Sequence, residues 1–244
     1  MARRRRKIGG VFILLLLFII AVTVALTVPV FNITSVTVTG NARLTQEEIL
    51  AVAGIPVGTN IYRISMRSAE DRLEEMPYVL SARVRRKFPA RVHVHVEERE
   101  EKAAVICDGG YAITDETARV LRLANDRENL PCVTGAGVTA ATPGKTIEMK
   151  EEGFVSNYTA LLSALDTADL GVSFSMLRIE NIADVSAETE HGLEIHLGGM
   201  DDLDYKLKLC KNILSGGHGG INKESSGVLR WTSQGQFSYR QSKN

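Results

Sequence analysis

The chain has 244 residues, 29 of them basic and 29 acidic, so it is formally neutral. Setting aside the N-terminal cations Arg3, Arg4, Arg5, Arg6 and Lys7 leaves 24 basic against 29 acidic residues, an excess near −5 that argues against the basic face of a nucleic-acid binder. Cys107, Cys132 and Cys210 are too few and too scattered for a disulfide scaffold, and without a C-x-x-C pair they do not suggest zinc.

From Ile8 to Val28 the chain runs 21 residues without a charge. At about 1.5 Å per helical residue this reaches roughly 31 Å, the thickness of a bilayer core. A cleaved signal has an apolar core of about 7 to 15 residues, and only Thr23, Val24 and Ala25 faintly resemble a cleavage site. The reading is a cytoplasmic basic tail over 1–7 and a retained transmembrane helix over 8–30. Five cations precede the span and the next charge after it is Arg43, which places the N-terminus in the cytoplasm and the remainder outside. The same cations would lie at the inner leaflet.

The β-branched run of Val36, Thr37, Val38 and Thr39 predicts a strand closed by a turn at Gly40 and Asn41. Thr45 with Glu48 forms a capping-box pattern, Leu44 and Ile49 a hydrophobic staple, and Gly54 a helix stop. A second helix starts near Ser65 or Ser68, carries Ala69, Leu73 and Met76 on one face, and ends at Pro77. A strand over 80–87 then turns at Phe88, Pro89 and Ala90 into one over 91–97, with Val92, Val94 and Val96 facing inward. The order β-α-α-β-β predicts two helices on one face of a small sheet. The charged run 97–102 reads as a solvated connection, with a boundary near Arg99.

Beyond it, short apolar runs between Gly- and Asp-rich turns predict a mostly antiparallel sheet with two flanking helices. One helix lies near 151–165. The other, near 202–214, sets Leu203, Leu207, Cys210 and Leu214 on one stripe, so Cys210 is a core residue. A Cys107 to Cys132 bridge is permitted outside the cytoplasm, and buried free thiols are the favoured reading. Strands are expected at 177–181, 185–188, 193–197, 228–232 and 236–240, while 216–227 reads as a flexible connection.

His93, His95 and Glu97 project from one side of a strand, a spacing that metal ligands use. Their alternation with three valines is equally that of a half-exposed hairpin, which is the preferred reading. No G-x-S-x-G, H-E-x-x-H or S-x-x-K pattern is present, and the glycines around His218 lack the flanking elements of a phosphate loop. No catalytic residue, metal or cofactor is therefore expected. What remains is the terminal hairpin with Trp231, Phe237 and Tyr239. A terminal strand often forms a sheet edge, and such an edge can accept a partner's strand. Phe237 and Tyr239 share one face and Ser238 and Arg240 the other; which set faces inward is open at this level.

The order of these segments, with Gly58-Thr59-Asn60-Ile61, Arg85-Arg86-Lys87-Phe88-Pro89, the Val92, Val94, Val96, Glu98, Arg99 alternation, Gly110-Tyr111, Asp115, Leu121, Leu130-Pro131 and Gly135, resembles the bacterial cell-division family FtsQ, called DivIB in many Gram-positive bacteria. Glu101 stands where that family commonly has Pro, Val105 and Ile106 where a Trp is usual, and Val228 in place of an Asp. Leu229-Arg230-Trp231 is similar to its Leu-Arg-Tyr segment. The resemblance implies an α+β chain: an anchor, a POTRA-like domain over 31–99, a β-domain over 100–240 and a short tail over 241–244. It further implies a non-enzymatic scaffold at the septal membrane that binds the coiled-coil proteins FtsB (DivIC) and FtsL and helps regulate septal peptidoglycan synthesis, without a small-molecule substrate. By the same resemblance Trp231, Phe237 and Tyr239 receive the partner and Arg230 forms a polar rim. The other readings are a POTRA-bearing secretion or envelope-assembly component, which normally needs a β-barrel that does not follow here, and an anchored cell-wall hydrolase.

Overall fold

The computed structural model describes residues 13–24, 28–134, 137–216 and 221–241. Residues 13–24 form helix α1, with every side chain exposed. The basic tail over 1–7, residues 8–12 and 25–27 of the expected anchor, and 242–244 of the expected tail lie outside the described residues. Among the described residues no helix is long and apolar enough to cross a membrane. The chain divides into two compact units, Met1–Arg99 and Glu100–Asn244.

In the first unit β1 (Ser35–Thr39), α2 (Gln46–Ala53), α3 (Met66–Glu74), β2 (Val79–Lys87) and β3 (Arg91–Glu98) build a sheet in the order β1-β3-β2. β3 pairs in parallel with β1 and antiparallel with β2. Val92, Val94 and Val96 pack with Ile49, Ala53, Ala69 and Leu73 from the helices, all at most 1% exposed. Thr45 Oγ1 accepts from the Glu48 N–H at 3.3 Å while the Glu48 carboxylate accepts from the Thr45 N–H at 2.8 Å. Gly54 closes α2 at φ +62°, a conformation that disfavours a side chain. Ser65 caps α3 through the Ser68 N–H.

Run 97–102 holds the boundary between the units and none of its residues is buried, but several of its side chains are tied down. The Glu98 carboxylate accepts from the backbone N–H groups of Arg43 (2.7 Å) and Leu44 (2.9 Å), Arg99 Nε donates to the Val79 carbonyl (3.2 Å), and Glu101 pairs with Arg122 at 2.7 Å.

The second unit carries a nine-stranded sheet in the order β14-β13-β12-β11-β10-β7-β4-β5-β6. Its strands are β4 (Ala103–Cys107), β5 (Gly110–Thr114), β6 (Val120–Ala124), β7 (Cys132–Thr134), β10 (Phe174–Arg178), β11 (Val185–Thr189), β12 (Leu193–Gly198), β13 (Gly227–Trp231) and β14 (Phe237–Gln241). A ribbon of β8 (Val138–Ala140) and β9 (Glu148–Met149) stands apart. The sheet is mixed: β4 with β7, β7 with β10 and β12 with β13 run parallel, the other neighbours antiparallel. α4 (Phe154–Ala168) and α5 (Leu203–Leu214) share the core with Leu177, Ile195 and Leu229. The strand expected at 177–181 begins earlier and stops at Arg178, because Asn181 opens a turn through Ala183 N–H to its Oδ1 (3.0 Å) and Asp184 N–H to its carbonyl (2.9 Å). The segment expected to be flexible over 216–227 contains buried Ile221 and a bridge between Ser215 and Asn222; residues 217–220 lie outside the described set.

Tyr158 is fully buried, its hydroxyl between Thr114 Oγ1 (2.7 Å) and the Asp115 carbonyl (3.0 Å). Tyr158→Phe leaves that carbonyl and Thr114 short of a partner and should destabilise the second unit by about 1–2 kcal/mol, read as a lower denaturant midpoint at unchanged slope. All three cysteines are free, and burial pushes the Cys210 thiol up to about 12. Cys210 should therefore label with a thiol reagent at pH 8 only in denaturant; labelling mapped to Cys210 itself in the native chain, as distinct from the half-buried Cys107, would contradict its place in the core. The Thr45 N–H and hydroxyl hold the Glu48 carboxyl below its ordinary value of 4.5. Its stabilising contribution is complete above the unfolded value and lost as pH falls through the lower folded one, so Glu48→Gln should lose that part of the acid dependence of unfolding.

Candidate docking edge

The terminal hairpin is set by Gly235, at φ +75°, in the turn that joins its strands. The Thr232 N–H donates to the Gln236 carbonyl at 2.9 Å, and Trp231 then faces Phe237, Arg230 Ser238, Leu229 Tyr239 and Val228 Arg240. Hydrogen-bonded and open pairs alternate along an antiparallel ladder. With residues 232 and 236 bonded, Ser238 and Arg240 bond to β13, and Phe237, Tyr239 and Gln241 turn their N–H and C=O groups to the other side. No further strand lies on that side among the described residues.

The opposite end of the sheet is capped where β6 begins. The Val120 N–H on β6 donates to the Lys145 carbonyl (2.8 Å), the Gly144 N–H donates to the Val120 carbonyl (2.8 Å), and Arg119 bridges to Thr146. A loop thus pairs with the start of β6, whereas β14 has no such partner at any residue among the described ones.

Phe237 and Tyr239 lie half-buried against the helical core, and Ser238 and Arg240 are the exposed set. The Tyr239 hydroxyl donates to the Ser226 carbonyl at 2.7 Å. Trp231 meets Phe237 edge-on with ring centroids 5.1 Å apart and Tyr205 of α5 at 6.2 Å, and the Lys206 Nζ stands 5.8 Å from its ring centre. Lys206 is 1% exposed; its ammonium donates to the Gly199 carbonyl (2.8 Å) and to Asp201 (3.3 Å). It therefore fastens the loop after β12 beneath Trp231. Beside Tyr205, a groove of about 660 Å³ lined by Ala160, Ala164, Met200 and Leu203 opens between α4 and α5.

Arg230 does not join the aromatic residues. It lies on the other face, donating to Asp184 Oδ2 (3.1 Å) and facing His196 Nε2 (3.4 Å), which itself contacts Asp184 through Nδ1 (3.2 Å). Tyr205 and Lys206 were missed in the sequence. Lys206 falls between Leu203 and Cys210 on the apolar stripe of α5, and a lysine on such a stripe was the available signal. His93 Nε2 and His95 Nδ1 both face Thr39 Oγ1, at 3.1 and 3.2 Å. Among the described residues no cluster of His, Cys, Asp and Glu could hold a metal ion.

Comparison with known proteins places these units. A family model described as POTRA domain, FtsQ-type, matches residues 31–99. The chain is 26% identical over 217 residues to the cell division protein DivIB of Clostridium botulinum, an overlap of 87% of this chain and 84% of that protein. It is 30% identical over 193 residues to the cell division protein FtsQ of Syntrophotalea carbinolica, covering 75% and 65% of the two chains. With FtsQ of Corynebacterium glutamicum the identity is 25% over 214 residues, or 86% and 91%. With an FtsQ-type domain in the first unit and similarity of this kind running through most of the second, the chain belongs to the FtsQ/DivIB family of non-enzymatic cell-division proteins.

Proposed function

We propose that this protein is a divisome scaffold, held in the membrane by residues 8–30 with its N-terminus in the cytoplasm, whose β14 edge takes up a strand from a coiled-coil division protein of the FtsB/DivIC type together with FtsL. Through that assembly it helps to regulate septal peptidoglycan synthesis. The domains in this reading are the tail 1–7, the anchor 8–30, the POTRA domain 31–99, the β-domain 100–240 and the tail 241–244.

The observation that carries the reading is the open edge of β14 at the end of the sheet, with the Trp231, Phe237 and Tyr239 rings on its helix side. Strand addition there would continue the ladder through the outward groups of Phe237, Tyr239 and Gln241, while Trp231, Phe237 and Tyr239 supply apolar contact on the helix side. Arg230 would act from the opposite face, as a cation tied to Asp184. The charge clusters at residues 3–7 support the orientation.

A fluorescent fusion of the full chain should gather at midcell. Tyr239→Pro removes an outward N–H and one ring without touching a β13 bond, and should weaken capture of the FtsB/DivIC-type partner about tenfold or more. Affinity measured with the detergent-solubilised full chain checks this, and undiminished capture would remove β14 as the docking edge.

A further inference from the structure

The first unit carries a second surface, at the end where the chain leaves the apolar segment. The short 3-10 turn Pro29–Phe31 comes directly after Val28. Phe31 meets Tyr62 edge-on at 5.4 Å between ring centroids, and Tyr62 meets Phe88 at 5.8 Å. The row is held in place by backbone and guanidinium: the Ile61 N–H donates to the Phe31 carbonyl (2.9 Å), and Arg86 donates to the carbonyls of Ile61 (3.0 Å) and Ile64 (2.7 Å). Phe31 is half-buried against the core of the unit, but its neighbours face outward, with Val30, Tyr62 and Phe88 54%, 43% and 56% exposed.

Cations border this apolar end. Phe88 stands at the tip of the β2–β3 hairpin, directly after Lys87, whose partner across the strands is Arg91. Lys87, Arg91, His93 and Thr37 line a shallow concavity of about 290 Å³. Arg83 and Arg85 occupy alternate exposed positions on the same face of β2. The acidic Glu97 of β3 lies toward the far end of that face, bonded to Ser81 Oγ at 3.0 Å.

We propose that this end of the first unit sits on the outer leaflet of the membrane, its rings at the boundary of headgroups and acyl chains and its basic concavity around the phosphate of an anionic phospholipid. The inference rests on the reading that residues 8–30 cross that membrane. A 3-10 turn rises about 2 Å per residue, so Phe31 stands within about 6 Å of the end of the apolar run. One headgroup layer is roughly as deep, about 5–8 Å. A turn this short keeps Phe31 in the headgroup zone of whatever bilayer the segment enters, with Tyr62 and Phe88 following in contact. Amphipathic rings and cations are the side chains that this zone accepts.

The test uses the full chain reconstituted in vesicles of phosphatidylcholine and phosphatidylglycerol with brominated or plain acyl chains. In a Phe88→Trp variant, brominated lipid should quench the new tryptophan by about half once the Trp231 signal of the parent is subtracted, and K87Q/R91Q in that background should lower the seated fraction roughly tenfold in equilibrium constant. Flotation of the same vesicles after an alkaline wash reports the anchor separately. A chain that fails to float overturns the anchor; a chain that floats with an unquenched tryptophan overturns the seat, and points to a protein covering instead. Quenching that ignores both K87Q/R91Q and the removal of phosphatidylglycerol overturns the basic concavity as a phosphate site. A Tyr62→Trp variant with unchanged thermal unfolding gives the same reading if Phe88→Trp perturbs the hairpin.

Discussion

The outermost strand of a sheet keeps a row of N–H and C=O groups that its own fold cannot pair, and in the second unit that row belongs to β14. The arrangement around it is asymmetric. β6 gives the start of its edge to a loop, while β14 is reached by a parallel step from β12 to β13 through α5, then a tight hairpin. α5 starts beneath this hairpin, so Tyr205 and Lys206 meet Trp231 where the helical layer ends. The open backbone row is thus backed on its helix side by the rings of Trp231, Phe237 and Tyr239, packed against the helical layer.

Burial of Lys206 is costly unless its charge is hydrogen-bonded. The carbonyl of Gly199 and the carboxylate of Asp201 meet that requirement, and Trp231 closes over the side chain. The result couples the β12–α5 loop to the edge: neither the loop nor the ring can shift without loosening a buried ammonium. Arg230 plays the matching part on the opposite face, where Asp184 and His196 tie β13 to the turn before β11.

Local signals were readable in the sequence where they acted within a few residues. The capping box of Thr45 and Glu48, the Ser65 cap, the valine alternation of β3 and the stripe of Leu203, Leu207, Cys210 and Leu214 all depend on near neighbours, and they appear in the structure. Features decided by distant partners were not readable. In run 97–102 nothing nearby revealed that Glu98 would meet the Arg43 and Leu44 amides. β10 was placed too late because its limits follow from β7 and β11. The direction in which Phe237 and Tyr239 point depends on α5, which a two-residue alternation cannot indicate.

In the first unit the strand made last is the one in the middle. β1 has its partner in β3, with Ser35 opposite Arg91, and the loop after β1 is clasped by the carboxylate of Glu98. A growing chain therefore holds β1, α2, α3 and β2 in hand with no central strand to arrange them on. Until β3 has emerged α3 can lie on β2, with Glu70 and Glu74 accepting from the Val84 and Ala82 amides, but Val92, Val94 and Val96, which fill the layer against Ile49, Ala53, Ala69 and Leu73, are still missing.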